Sequence, residues 1–288
     1  MFNDEKKQNH LKKPEWLKIK LPDAYEYANL KARLKANKLH TICESGQCPN
    51  LGECWKSGTA TFMILGDICT RSCRFCAVKT GKPLPPDADE PARIAAAVKE
   101  LKLKHCVITS VDRDDLIDGG AEIWSETVTA IKNINNSITI ECLVPDFNGQ
   151  WHNLQKVINS NPEVISHNLE TVSRLTKEIR VFARYELSLE VIKKISDSGI
   201  KSKSGIMLGL GETIEEIYET INDIFETGCK IITIGQYLQP GKNNFPVRKY
   251  YSPEEFAKFK SYGMQKGFHF VESGPLVRSS YHAELHVN

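Results

Sequence analysis

Six of the nine cysteines fall into two groups of three. Cys69, Cys73 and Cys76 sit in CTRSCRFC, spaced C-x3-C-x2-C, and Cys43, Cys48 and Cys54 sit upstream, spaced C-x4-C-x5-C. A structural zinc takes four protein ligands, a disulfide takes two cysteines, and a cubane iron–sulfur cluster has four iron corners. A set of three therefore recruits a ligand from elsewhere or leaves one metal corner open to a small molecule, which is what a catalytic centre requires. The tight triple resembles a C-x2-C-x3-C ferredoxin run read backwards, without its fourth cysteine. Zinc sites come as pairs of C-x2-C units, so the triple is assigned to an iron–sulfur cluster. A zinc completed by a distant His or Cys is the alternative. The wider triple, in a loop with Gly and Pro, taken alone reads as a zinc knuckle or as chance spacing. Beside the first triple the metal reading gains, because two groups of three do not divide into four-cysteine sites. A single six-thiolate site stays open. Cys106, Cys142 and Cys229 lie in or beside apolar runs and read as buried small hydrophobes.

The elements that would position these groups follow a regular order from Thr61 onward. Strand patterns cover Phe62–Leu65, Cys106–Thr109, Thr139–Leu143, Val164–Ser166, Ser204–Leu208 and Ile231–Ile234. Between them Ile94, Ala97, Val98 and Leu101 share a helix face, with Pro91 in the first turn. Trp124, Val128 and Ile131 make another face. Ile214, Ile217, Tyr218, Ile221 and Phe225 make a third, opened by a Thr213–Glu216 capping box and stopped at Gly228. Ser252 and Glu255, around Pro253, open a last helix carrying Phe256 and Phe259. Six strand–helix units in series predict an α/β fold with a parallel sheet. The 228 residues from Thr61 onward are short of the about 250 of an eight-unit barrel, so the expected fold is a partial (βα)6 barrel with N-terminal and C-terminal extensions; a doubly wound open sheet competes. The expected division is an N-terminal extension over 1–60 with one helix near Asp23–Lys35, a barrel over 61–250, and a helix and tail over 251–288. The loop CTRSCRFC follows the first strand, TFMILGDI, at the sheet edge where parallel α/β folds place their sites.

Composition bounds the function. The 288 residues hold 38 Lys+Arg against 36 Asp+Glu, a net charge of +2, so no global field selects nucleic acid or a membrane. Residues 1–40 carry ten Lys/Arg and five Asp/Glu, a basic arm that is either a solvated tail or a docking segment. No segment approaches the roughly 20 apolar residues of a membrane span, and the N-terminus lacks a signal-peptide core. A cytoplasmic location, where thiols stay reduced, is expected.

The C-x3-C-x2-C motif with an aromatic, Phe75, before its last cysteine resembles the signature of the radical S-adenosylmethionine superfamily. The two triples together with RSSY at Arg278–Tyr281 are similar to the lipoyl synthase family. So are KKPEWLK (Lys12–Lys18), ESGQCPNLGECW (Glu44–Trp55), GDICTRSCRFCAV, TSVDRDDLIDGGA, HNLET, GLGET and GPLVRSSYHA. The resemblance spans nearly the whole chain. Biotin synthase and methylthiotransferase types are the alternatives; biotin synthase lacks the upstream triple and RSSY.

The resemblance implies a sulfurtransferase that inserts two sulfur atoms at carbons 6 and 8 of an octanoyl chain held by an amide to a lysine of a carrier protein. Both C–H bonds are unactivated, so a radical made from S-adenosylmethionine is implied. It also implies two 4Fe–4S clusters. Cys69, Cys73 and Cys76 would hold the catalytic one, with S-adenosylmethionine on its open iron. Cys43, Cys48 and Cys54 would hold an auxiliary one, ligated further by Ser280 (rather than Ser279) and consumed as the sulfur source. Asn168 and Glu170 of HNLET would bind the ribose hydroxyls, and Gly209 and Gly211 of GIMLGLGE would let backbone approach the adenine. Arg180 would contact S-adenosylmethionine or substrate, although Val181 and Phe182 replace the family's Pro-Gly after it. DRDDLIDGG, Asp112–Gly120, would either meet the methionine moiety or form a closed salt-bridge loop. Implied partners are octanoylated carriers (the glycine-cleavage H protein or lipoyl domains of 2-oxoacid dehydrogenases), an electron donor such as flavodoxin or ferredoxin, and an iron–sulfur carrier protein, with neither nucleic acid nor membrane.

Overall fold

The strand runs of the sequence become the centre of one eight-stranded sheet in the structure, a computed structural model that describes residues 11–18, 28, 31–32, 34, 36–45, 48, 50–56 and 58–287. Its strands are β1 (His40–Thr41), β2 (Thr59–Ile64), β5 (His105–Ser110), β6 (Thr139–Leu143), β7 (Val164–Ser166), β8 (Lys201–Leu208), β9 (Ile231–Gln236) and β10 (Phe270–Gly274), in that spatial order. A separate parallel pair joins β3 (Ile68–Cys69) to β4 (Lys79–Thr80). Within the large sheet every pairing from β2 to β10 is parallel, and only β1 runs antiparallel, on the free edge of β2. Six helices cross between successive parallel strands: Glu90–Glu100, Ala121–Ile134, Trp151–Asn159, Tyr185–Asp197, Ile214–Glu226 and Pro253–Lys266. These six strand–helix units make the partial barrel that the alternating pattern implied, and the first and last strands are not paired to each other.

Local chemistry sets the boundaries. Thr213 and Ser252 both form the expected capping boxes: each accepts from the backbone N–H three residues on, and Glu216 and Glu255 reach back to the cap N–H groups. The Ile214–Glu226 helix ends before Gly228, whose φ is +86°. The first strand stops at Ile64, earlier than TFMILGDI suggests, because Leu65 (φ +67°) and Gly66 (φ +93°) turn the chain into the cysteine loop. β8 begins at Lys201, before the apolar run, because the Lys203 ammonium is inside the barrel. It lies 2.9 Å from Glu141 of β6, and both side chains are fully buried. Ser166 of β7 donates to the other Glu141 oxygen at 2.8 Å. The helices Trp151–Asn159, Ser173–Ile179 and Tyr185–Asp197 and the strand β10 are additions to the expected elements. Residues 251–288 thus supply a seventh parallel strand. Of the helix expected near Asp23–Lys35, only Ala28, Lys31, Ala32 and Leu34 are described, all helical, and the rest lies outside the described residues, as does most of the basic arm. Among the described residues no helix is long and apolar enough to cross a membrane.

Breaking a buried ion pair strands the surviving charge, at a cost of about 3–5 kcal/mol. Lys203→Met is therefore expected to lower stability by about that amount in urea titrations, and adding Glu141→Leu to recover most of it. An unchanged midpoint for the single variant would contradict the pairing.

Candidate metal and cofactor site

The cysteine loop begins where β2 gives out and is closed by the β3–β4 pair, in which Cys69 is opposite Thr80 and the Gly81 N–H donates to Cys69 O at 3.0 Å. Between these ends Arg71 turns inward. Its guanidinium holds Asp114 through Nε (2.7 Å) and Nη2 (2.8 Å), and Asp146 through Nη1 (3.0 Å) and Nη2 (2.8 Å), with Asn148 Oδ1 at 2.9 Å. Asp114 follows β5 and Asp146 follows β6, so one buried fork ties the loop to two strand ends. Burial disfavours the Arg71 charge, but the bonds to Asp114 and Asp146 outweigh it and the guanidinium stays firmly protonated. From the other side the Arg74 N–H donates to Ile179 O, and Asn244 donates to Cys76 O at 2.8 Å.

The loop faces a cavity of about 530 Å³ at the C-terminal ends of the strands. Cys69, Cys73, Cys76, Asp112, Asn168, Glu170, Arg180, Arg278 and Ser279 all line it, along with apolar Met63, Val78, Leu143, Met207 and Val277. Burial is the first cause raising each thiol: Cys69 goes up, Cys73 to about 12 and Cys76 to about 11. The charges of neighbouring thiols add to the rise in Cys73 and Cys76. Yet backbone N–H groups already point at the sulfurs: Asp112 (3.3 Å) and Arg71 (3.4 Å) at Cys69, and Val78 (3.4 Å) at Cys76. Such donors favour thiolate.

Opposite the thiols, Asn168 Nδ2 donates to Glu170 Oε1 at 3.1 Å while Asn168 Oδ1 is buried without a partner. Glu170 has φ +66° and bridges to Ile206 of β8, which turns its carboxylate inward. Burial raises that carboxyl, and Arg180 and Asn168 pull it back. Arg180 Nη1 donates to Leu169 O (3.1 Å) and Ser188 Oγ (3.0 Å). His167 is held between Val144 O (2.9 Å) and Ser188 Oγ (3.0 Å), and burial lowers it to about 4, so it is a neutral strut rather than an acid or base. A side chain at Gly205 would meet Asn168 Oδ1 at 3.0 Å, so the glycine keeps this wall open. Gly209 and Gly211 do not line the cavity. Both have positive φ, and the Gly209 and Leu210 N–H groups donate to Glu212 at 2.6 and 2.9 Å, a turn that leads into the next helix. DRDDLIDGG divides its labour. Arg113 pairs with Asp115 at 2.8 Å, Asp118 accepts from Gly120 and Glu122 at the helix start, and Asp112 faces the cavity.

The upstream cysteines form a second group. The Cys43 thiol donates to Cys48, which raises Cys43 well above the ordinary range and lowers Cys48 to about 7; Thr61 of β2 also reaches Cys43. Cys54 is raised to about 12 by burial and then by the Cys48 charge. RSSY packs against this group. The Arg278 charge lowers Cys48, Tyr281 OH donates to Glu53 at 3.3 Å, and Asn50 Nδ2 donates to Leu276 O at 2.7 Å. Ser279 lines the large cavity and Ser280 does not.

Among the described residues no three His, Cys, Asp or Glu donors close on one ion. That is compatible with a cluster, whose ligands bind separate corners and stand farther apart. Three thiols with N–H donors aimed at two of them, one unpaired buried amide oxygen and a part-apolar chamber fit a cluster with an organic ligand beside it. Cys106, Cys142 and Cys229 are fully buried away from both groups, as expected. Arg71, Asp146, His167 and Ser188 escaped the motif reading, although Asp146 directly follows a parallel strand, where such sites gather.

Residues 63–224 match the model of the radical SAM superfamily, and residues 2–48 that of the N-terminal domain of lipoyl synthase. The chain is 55% identical to lipoyl synthase of Flavobacterium johnsoniae over 96% of both chains. It is 55% identical to that of Bacteroides fragilis over 100% of this chain and 98% of the other. The mitochondrial lipoyl synthase of Nematostella vectensis is 56% identical over 96% of this chain and 95% of its own. In fold, it resembles the hydrogenase maturase HydG of Carboxydothermus hydrogenoformans (TM-score 0.60, 13% identity, 91% of this chain and 68% of that one). It also resembles Streptococcus suis SuiB bound to its precursor peptide (0.59, 15%, 91% and 57%).

The pH response of the Arg71 network carries a sign. Burial raises Asp146, but Arg71 overcomes it and holds the carboxyl at about 2, below an unfolded value of about 3.9. The stabilisation is complete above pH about 4 and is lost as pH falls toward 2. Asp146→Asn is expected to cost about 2–3 kcal/mol at neutral pH and to flatten the urea midpoint between pH about 4 and 2. Equal slopes in variant and parent would contradict it.

Proposed function

The chain belongs to the lipoyl synthase family of radical S-adenosylmethionine enzymes, and from that membership we propose how its residues insert two sulfur atoms into an octanoyl chain borne by a lipoyl carrier protein. S-adenosylmethionine and an iron–sulfur cluster are its cofactors. Cys69, Cys73 and Cys76 would hold the cluster, and the chamber beside them would hold S-adenosylmethionine. When bound, the reduced cluster would supply the one electron that cleaves the sulfonium bond of S-adenosylmethionine, and so a radical able to take hydrogen from carbon.

The protein's own residues prepare this chemistry. Loading the cluster displaces protons from three thiols that burial keeps protonated, and the N–H donors from Arg71, Asp112 and Val78 stabilise the thiolates that result. Asn168, with its free Oδ1, and Glu170 offer an acceptor pair to the ribose hydroxyls. Arg180 sets a positive charge beside Glu170 and the thiols. Met63, Val78, Leu143, Met207 and Val277 give the chamber a C–H-lined wall that admits an alkyl chain and limits water. His167 takes no proton, in keeping with a reaction that breaks unactivated C–H bonds without acid–base catalysis.

The proposal extends to a second 4Fe–4S cluster on Cys43, Cys48 and Cys54, with Ser280 as fourth ligand. An alkoxide is a harder ligand than thiolate and suits an iron that must be given up, as the family's use of this cluster as sulfur source requires. What supports the reading is the pull of the Arg278 charge on Cys48 and the hydrogen bond from Tyr281 to Glu53, the neighbour of Cys54. Gly209 and Gly211 are turn formers that hold the β8 end in register, with the adenine beyond it. An octanoylated H protein or lipoyl domain is the carrier, a flavodoxin or ferredoxin the electron donor, an iron–sulfur carrier protein the source of replacement clusters, and the cytoplasm the location. The extension over 1–60 and a barrel beginning at 61 follow the same assignment, while 251–288 contributes the last helix and the last strand of the sheet as well as the RSSY turn.

The reconstituted protein is tested anaerobically with S-adenosylmethionine, a reductant and an octanoyl-lysine peptide. Mass spectrometry is expected to find two added sulfurs for the parent and for Ser279→Ala. Ser280→Ala is expected to lose sulfur insertion at least 10-fold while still cleaving S-adenosylmethionine. Full insertion by Ser280→Ala would remove it from the ligand set.

A further inference from the structure

The RSSY turn has no regular secondary structure, and its position is set by what lies on either side of it. Above, Val277 and Arg278 pass so close to β9 that a Cβ at Gly235 would overlap Val277 O. Below, the chain runs along the unpaired flank of the barrel to the opposite end of the sheet. There Glu284 Oε2 accepts from Thr59 Oγ1 at 3.1 Å, and Val287 O accepts from Lys201 Nζ at 2.7 Å. Thr59 and Lys201 are the first residues of β2 and β8, so both contacts lie at the barrel floor. Ala283 is fully buried and His286 is 1% exposed. The His286 ring is edge-on to Phe270, the first residue of β10, at 5.2 Å between centroids. Neither ring nitrogen has a partner.

We propose that Ala283–Val287 is a latch on the barrel floor, with His286 as its buried side chain, and that this latch holds the Arg278–Tyr281 turn against Cys43, Cys48 and Cys54. Glu284 and His286 are positioning residues: they touch no reacting atom, and they fix the height at which Ser279 and Ser280 stand. The inference rests on the reading that RSSY serves the upstream cysteines, but the latch itself is a property of the protein alone.

The latch has a sign with respect to pH. The groups that face His286 are Lys203 of β8, itself paired with Glu141 of β6, His105 of β5 and His282 of its own segment; Phe270 of β10 is neutral. No carboxylate is among the groups that perturb it. Burial first, then the Lys203 charge and the repulsion any protonation of His105 or His282 would add, lower the docked imidazole to about 2. A released segment regains an ordinary histidine near 6.5. Docking is therefore complete above pH 6.5 and weakens roughly tenfold per pH unit below it. His105 is also held neutral by burial and is distinguished by the variants below.

The test is hydrogen exchange at the Arg278–Tyr281 amides of the full chain, before and after cluster reconstitution, corrected for intrinsic rates. The parent is expected to be protected at pH 7.5 and to lose roughly tenfold of that protection at pH 5.5 before reconstitution. His286→Lys, which puts a second ammonium beside Lys203, is expected to exchange freely at both pH values, with its far-ultraviolet dichroism unchanged. His286→Phe keeps an aromatic ring against Phe270 and is expected to restore protection and remove its pH dependence. Protection in His286→Lys equal to the parent, or a full pH response in His286→Phe, would overturn the latch. A protein whose turn is released by His286→Lys but whose sulfur insertion survives Ser280→Ala keeps the latch and loses the ligand reading.

Discussion

One buried guanidinium organises the site. Arg71 lies between the first and second cysteines of the tight triple, and removing its charge from water costs several kcal/mol unless partners are in place. The two carboxylates it grips come from the ends of β5 and β6. The cysteine loop therefore cannot settle until those strand ends are formed, and the thiols inherit the rigidity of the sheet. Because the same loop is closed at its base by β3 and β4, the three sulfurs face the cavity rather than solvent.

The rest of the chamber follows from that placement. Burial keeps the empty thiols protonated, so the site costs little to hold without metal. N–H groups from Asp112, Arg71 and Val78 wait to stabilise the charge that appears on loading. Across the cavity, Glu170 is held in a left-handed conformation by its bridge to β8, and Asn168 is left one acceptor short. Backbone strain and an unpaired buried oxygen are both features that fold stability alone would remove, and both sit where a polar cofactor would bind. The second cysteine group is built differently, from the stretch before β2 and the segment after β10, and these meet over the flank that the sheet leaves unpaired.

Much of this was legible in the residues. Alternating strand and helix patterns gave six units, because strands buried on both faces read as continuous apolar runs. The capping boxes at Thr213 and Ser252 were readable because they are local. The start of β8 was not, since a lysine at 203 argues against a buried strand until Glu141, 62 positions away, is known to face it. β10 was hidden in a segment whose alternation is weak. Cysteine spacing announced the tight triple, whereas the partners of Arg71 depend on strand ends far apart in sequence. Gly209 and Gly211, expected to let backbone approach an adenine, form a turn that does not line the cavity, which position along the chain did not reveal.

The account stands on six thiols serving two independent clusters. Iron and acid-labile sulfide per chain, measured after anaerobic reconstitution, test that most directly. The account predicts about eight irons for the parent. It predicts about four for a variant with Cys69, Cys73 and Cys76 changed to Ala, and about four for one with Cys43, Cys48 and Cys54 changed to Ala. Zinc in place of iron, or loss of all iron when either triple is removed, would contradict it.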